Sequence, residues 1–178
     1  SAYTIEASIK PTSGKSVNMG IVGWGEYGQS NSVNAFRLAG YSKLVNYWWG
    51  ADLEADGGST VNLADGEWHF VRATFDGSTR TLYLDGVAIG SDTPTGGAAK
   101  SNSNFCVGKT NGDEYFSGSM KAMQVYDKVV GAPPLPPAPT PAPTASPTRA
   151  PTPAPTPAPT PAPTAAPAYG TWVQPSAA

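Results

Sequence analysis

Polar and apolar residues alternate from the start of the chain: Tyr3, Ile5, Ala7 and Ile9 fall on one face, Thr4, Glu6 and Ser8 on the other, and Pro11-Thr-Ser-Gly14 ends the run. A period of two closed by turn residues predicts a half-buried strand. Short apolar runs follow at Met19 to Trp24, Ala35 to Ala39 and Leu44 to Trp49, with Gly, Ser and Asn clustered between the first two. The clearest signal is Glu67 to Phe75, Gly77-Ser78, Arg80 to Leu84, Asp85-Gly86 and Val87 to Ile89, which predicts a three-stranded meander with two tight turns. Phe105 to Val107 and Phe116 to Tyr126 complete the set; in the latter, Met120, Ala122, Gln124 and Tyr126 alternate against Lys121, Met123, Val125 and Asp127. No stretch sustains a helical period. Eight or more short strands at turn-marked intervals predict an all-β fold, a two-sheet antiparallel sandwich or jelly roll, over residues 1–131.

After residue 131 the alternation stops. Seventeen of the nineteen prolines lie there, and threonine recurs every fourth residue at Thr140, Thr144, Thr148, Thr152, Thr156, Thr160 and Thr164, each after a proline. Proline fixes φ and pushes the preceding residue out of the helical region, so residues 132–168 are predicted to form a polyproline II rod on the order of 115 Å long. Successive threonines then turn by about 120°, and their hydroxyls spiral around every face. Regular Thr/Pro tracts have the composition of O-glycosylated extracellular stalks, so the seven threonines are expected to carry glycans and the protein to be extracellular or at a cell surface. From Tyr169 the composition changes again, to a short strand-like segment with Trp172 and Val173.

Charge and composition narrow the function classes. The first 131 residues hold ten Lys and Arg against thirteen Asp and Glu, which gives a nucleic-acid role no support. No run of eighteen apolar residues exists for a membrane span, and the absence of an initiator Met or signal peptide gives the chain the look of a processed or excerpted one. Cys106 is the one cysteine, which excludes a disulfide within the chain. No Asn-x-Ser/Thr sequon occurs.

Four groups are candidates for chemistry. His69, the one histidine, sits between Trp68 and Phe70 in the first strand of the predicted meander, where a structural role is expected over catalysis. Asp52, Glu54 and Asp56 alternate, a spacing that would place carboxylates on one strand face, but Gly57-Gly58 follow at once, so a loop is expected and no catalytic residue is assigned. Tyr47, Trp48 and Trp49 are consecutive on a strand; Trp48 must face away from its neighbours, leaving an outward aromatic on which a sugar can stack. The competing use of such tryptophans is core or inter-subunit packing. Asp113-Glu114, beside Asn111-Gly112, offers hard oxygen ligands for calcium, against the plainer reading of a solvated acidic loop; no cofactor is required.

WHFVRATFDG (Trp68 to Gly77) followed by LYLDG (Leu82 to Gly86) resembles the paired-strand signature of laminin-G-like domains of the concanavalin A-like lectin/glucanase superfamily. YTIEASIKP (Tyr3 to Pro11) and YFSGSMKAMQVYDKVV (Tyr115 to Val130) resemble its early and closing strands. The resemblance implies a two-sheet jelly roll and a binding or structural role more often than catalysis. Ser8 departs from the Trp usual in the family, and Lys121-Ala122 from a common acidic pair, which weakens the carry-over of calcium chemistry. Such domains also open with an edge strand about a dozen residues before YTIEASIKP, where this chain has Ser1 and Ala2. YGTWVQPSAA (Tyr169 to Ala178) is similar to that opening strand. The expectation is a groove beside Tyr3 and Ile5 filled by Tyr169, Trp172 and Val173 of a neighbouring copy, giving a homo-oligomeric head-to-tail fibre. A tandem polyprotein cut within a strand is equally consistent, and a linker remnant or a lectin-like adhesion module on a glycosylated stalk are the other readings.

Overall fold

The computed structural model describes residues 1–13, 18–58, 61–97 and 101–131. The predicted polyproline rod and terminal strand, the seven stalk threonines, and Tyr169, Trp172 and Val173 lie outside the described residues.

Ten strands form two five-stranded antiparallel sheets, a jelly roll without helices among the described residues. In chain order they are β1 (Tyr3–Pro11), β2 (Met19–Gly25), β3 (Val33–Ala39), β4 (Lys43–Tyr47), β5 (Leu53–Asp56), β6 (His69–Phe75), β7 (Arg80–Leu84), β8 (Val87–Asp92), β9 (Cys106–Val107) and β10 (Gly118–Tyr126). The first sheet runs β10-β1-β6-β7-β8 and the second β5-β4-β3-β2-β9. Alternation supplies the core: Ile5, Ala7 and Ile9 of β1, Val71 and Ala73 of β6 and Leu82 of β7 meet Ile21, Phe36, Leu38, Leu44 and Trp48 from the other sheet. Each fully buried Leu, Ile or Phe contributes about 1.5–3 kcal/mol relative to exposure.

The β6-β7-β8 meander follows from its turn residues. Asp85 and Gly86 both have positive φ (48° and 82°), the requirement of a two-residue hairpin with the right twist. In the preceding turn the Asp76 carboxylate accepts the N–H groups of Ser78 and Thr79 at 2.8 and 2.7 Å.

A polar cluster crosses the core. The fully buried Arg80 donates to both oxygens of Asp92 (3.1 and 2.7 Å) and to the Asn46 carbonyl (3.0 Å), and its guanidinium lies 4.4 Å over the Trp48 ring. The Tyr3 hydroxyl donates to Asn46 Oδ1 at 2.6 Å and accepts from Trp48 Nε1 at 3.2 Å. Satisfying these groups matters because removing one partner of a buried ion pair costs about 3–5 kcal/mol.

Several expectations change. β1 is not half-buried: Thr4 and Glu6 on its polar face are covered as well, because residues 128–131 fold back over the first sheet. The Thr4 hydroxyl donates to the Lys128 carbonyl (2.9 Å) and accepts from Val130 N–H (3.1 Å). Arg72 ties Glu6 (2.8 Å) to the Gly131 carbonyl (2.6 Å). Residues 53–56 form edge strand β5, with Leu53 and Ala55 inward and Glu54 and Asp56 exposed, rather than a loop; pairing with β4 overrides the Gly-Gly that follows. In β10 the register against β1 shifts at Ala122, which has φ 51°. The bulge changes the phase of the strand, so Met120 and Met123 both pack toward the core instead of on opposite faces.

Candidate functional site

Two surfaces of the head are built for contact. The first is a basin on the outer face of the second sheet. Val33, Ala35 and Arg37 of β3 and Val45 and Tyr47 of β4 share this face. Glycines prepare it: a Cβ on Gly20 would sit 2.2 Å from Thr110 N, and one on Gly23 would sit 2.2 Å from the Tyr27 hydroxyl. Both side chains must be absent for the 109–115 loop and Tyr27 to lie against β2. The loop then delivers Glu114. Its carboxylate pairs with Arg37 and accepts from Asn18 Nδ2 (3.1 Å), the Thr110 hydroxyl (2.6 Å) and Asn111 N–H (3.3 Å).

Tyr27, Tyr47 and Trp49 form an aromatic trio with ring centroids 6.3–6.5 Å apart, and the Arg37 guanidinium lies 4.7 Å over Tyr47. Trp49 has φ 65°, in the left-handed region that a bulky residue enters only under constraint. The constraint is local: Asp52 Oδ1 accepts Trp48 N–H at 3.1 Å and the Trp49 carbonyl accepts Asn31 N–H at 3.1 Å. The resulting cleft, about 330 Å³, is lined by Asn18, Arg37, Tyr47, Trp49, Asp52 and Asn111. The Tyr47 hydroxyl lies beside Thr110 and Asn111, and that of Tyr27 beside Tyr47, yet neither meets hydrogen-bond geometry, and Arg37 Nε is likewise without a partner among the described residues. Burial, with a smaller contribution from Glu114, pushes the Tyr47 hydroxyl up to about 12. Burial also raises Tyr27. Both stay neutral donors at ordinary pH.

The second surface is an open edge. On one side of the sandwich β5 and β8 pack together; at the other, β9 and β10 have no comparable contact among the described residues. β9 is two residues long, and the outer edge of β10 is unpaired within the described head. A cleft of about 410 Å³ lies here, lined by Tyr3, Trp24, Phe105, Val125 and Tyr126. Trp24 and Phe105 stack at 5.9 Å, while Phe105, Val107 and Val125 remain 53%, 50% and 39% exposed.

Residues 1–133 match the Laminin_G_3 family model, described as concanavalin A-like lectin/glucanases superfamily. The chain belongs to this superfamily. Among solved structures sharing the superfamily fold are the Ruminococcus gnavus IT-sialidase CBM40 bound to α2,3-sialyllactose (TM-score 0.56, 16% identity, 73% of this chain and 78% of that one) and a putative carbohydrate binding protein from Bacteroides ovatus (0.57, 19%, 74% and 38%). Domains LG4-5 of the mouse laminin α1 chain match at TM-score 0.55 and 16% identity over 70% of this chain. This chain spans 34% of the laminin fragment and 38% of the Bacteroides protein. No curated protein matches the sequence.

Within the superfamily fold, the predicted sugar platform divides as alternation requires. Trp48 is wholly buried between the sheets, so it is a core residue and not part of an exposed platform, while Tyr47 and Trp49 face the basin. The calcium candidates separate too: Glu114 is committed to Arg37 and three neutral donors, and Asp113 is exposed. Among the described residues no three His, Cys, Asp or Glu side chains are grouped to hold a metal. Glu54 pairs with Lys43 at 2.5 Å on the exposed face of β5. His69 bridges Asp85 (2.9 Å) and Asp65 (3.2 Å) at the base of the meander. The groove expected beside Tyr3 and Ile5 is not present: both are buried, and β1 is paired on both edges, by β6 and β10, so within the described head the unpaired edge of this sheet is that of β10. Tyr3 still reaches the cleft, and Ile5 is not among its lining residues. Sequence reasoning missed Asn18, Tyr27 and Arg37 as site residues, and named Asp52 and Asn111 for other chemistry than this basin. Arg37 had a signal: a charge amid the outward stripe of Val33 and Ala35.

Proposed function

We propose that this protein is a non-enzymatic extracellular structural glycoprotein. Each copy is a subunit of a head-to-tail fibre, with the segment Tyr169 to Gln174 of one copy completing the jelly roll of the next. The observation that carries the reading is the open edge between β9 and β10. An exposed sheet edge beside apolar side chains is a template for an added strand: backbone groups give affinity, and alternate side chains enter pockets. Trp24, Phe105 and Val125 offer an apolar floor, and Tyr169, Trp172 and Val173 are the complementary side chains. If the Pro/Thr segment takes the polyproline II form its sequence predicts, it would span on the order of 115 Å, which would make pairing between copies easier than folding back. Donor and acceptor are different surfaces, so the contact propagates instead of closing a symmetric pair. O-glycans on Thr140, Thr144, Thr148, Thr152, Thr156, Thr160 and Thr164 would solvate a stalk whose one charge is Arg149.

Electron microscopy of the purified full chain and of a variant truncated after residue 168 tests the reading. Filaments are expected from the first and dispersed heads from the second. Filaments unchanged by the truncation would overturn strand donation.

A second reading has its own observation. The basin with its aromatic trio and polar rim favours a glycan-binding head, and structures of like fold include carbohydrate-binding modules.

A further inference from the structure

Resting on the glycan-binding reading but independent of the fibre, we infer that the Arg37–Trp49 basin is a calcium-independent site for one neutral pyranose residue rather than an acidic sugar. Charge decides the class. The charged side chains lining the basin are Arg37, Asp52 and Glu114, a net of one negative charge, and the single cation is already neutralised by Glu114. A sugar carboxylate would have to compete with Glu114 for Arg37 while facing Asp52. A neutral sugar meets no such cost. The lining suits hydroxyl groups: Asn18 and Asn111 supply amides on the rim and Asp52 a carboxylate acceptor. Trp49 is the apolar wall. Its constrained backbone is the kind of strain that persists where surrounding structure fixes a side chain for use. A volume of about 330 Å³ lies at the lower end of small-ligand pockets, the size of a single-residue site rather than a groove for a chain. Calcium is not needed, because both Glu114 oxygens are occupied by protein donors.

The test titrates the full chain, in a chelating buffer, with methyl glucoside, galactoside, mannoside and xyloside, and separately with sialyllactose and glucuronate, following tryptophan fluorescence and calorimetry. Saturable binding is expected for at least one neutral pyranoside and at least tenfold weaker binding for both acids. Asn111→Ala removes a rim amide side chain, so affinity should fall about tenfold; Trp49→Ala should abolish binding. Preference for an acidic sugar would overturn the neutral-sugar inference while sparing the glycan-binding reading. Binding of no sugar at all would overturn both. Neutral-sugar binding indifferent to Asn111→Ala and Trp49→Ala would overturn this basin as the site.

Discussion

At the scale of single residues, backbone strain and paired charges make separable predictions. Trp49→Gly and Trp49→Ala both delete the ring from the aromatic trio, so their difference isolates the left-handed backbone. Glycine enters that region freely and alanine does not, and chemical denaturation should find the glycine variant more stable by about 1 kcal/mol. Equal stabilities would mean that φ 65° is not a source of strain. His69 gives a pH dependence. Its hydrogen bond to Asp85, with help from Asp65, raises its pKa against the opposing effect of burial. A raised folded-state pKa means the protonated ring stabilises fully below its unfolded value near 6.5 and loses that contribution as pH rises through the higher folded value. Unfolding midpoints should therefore decline from pH 6 toward pH 8 in the parent, and His69→Gln should flatten that slope. A parent slope unaltered by the substitution would assign the titration to another group. The identity of these residues was visible in the chain, but their partners were not. Asp65 and Asp85 lie four and sixteen positions from His69; the predicted hairpin returns Asp85 to that end of the strand, but the two side-chain contacts themselves needed the structure.

At the scale of elements, the strap over the first sheet has the clearest consequence. Residues 128–131 are pinned to β1 and β6 through Thr4 and Arg72. Thr4→Val leaves the Lys128 carbonyl and Val130 N–H without their partner and should cost about 1–2 kcal/mol. Limited proteolysis should then cut near residues 127–131, a segment expected to resist in the parent. Resistance in both forms would show that the strap is held by other contacts. Alternation of Tyr3, Ile5, Ala7 and Ile9 predicted the inward face of β1 correctly, and Asp85-Gly86 predicted the second turn of the meander. Alternation failed where two chains of different length had to match. The bulge at Ala122 accommodates one extra residue of β10 against β1, and only the partner strand records that mismatch. β5 was misjudged for a related reason: its four residues become a strand because β4 lies alongside to pair with them.

At the scale of the whole molecule, the two surfaces of the head separate experimentally because they lie on different parts of it. Phe105→Lys and Val125→Lys place charges on exposed positions of the β9/β10 edge, so they should abolish filaments while costing the head only about 1 kcal/mol, mostly the lost stacking of Phe105 on Trp24. Sedimentation would report this as loss of the fast-moving species with unchanged circular dichroism. Persistent filaments would remove the edge from the assembly. The sequence by itself determined the strand-rich class, the core-facing set, the meander with its tight turns and the change of composition at residue 131, because each depends on side-chain period or on local φ preference. Only the tertiary structure decided that Trp48 enters the core while Tyr47 and Trp49 join Arg37 and Glu114, and that the open edge belongs to β10 rather than to β1. Those outcomes are contacts between residues far apart in the chain, and their free energy comes from which strands are neighbours, a property that no local window of sequence contains.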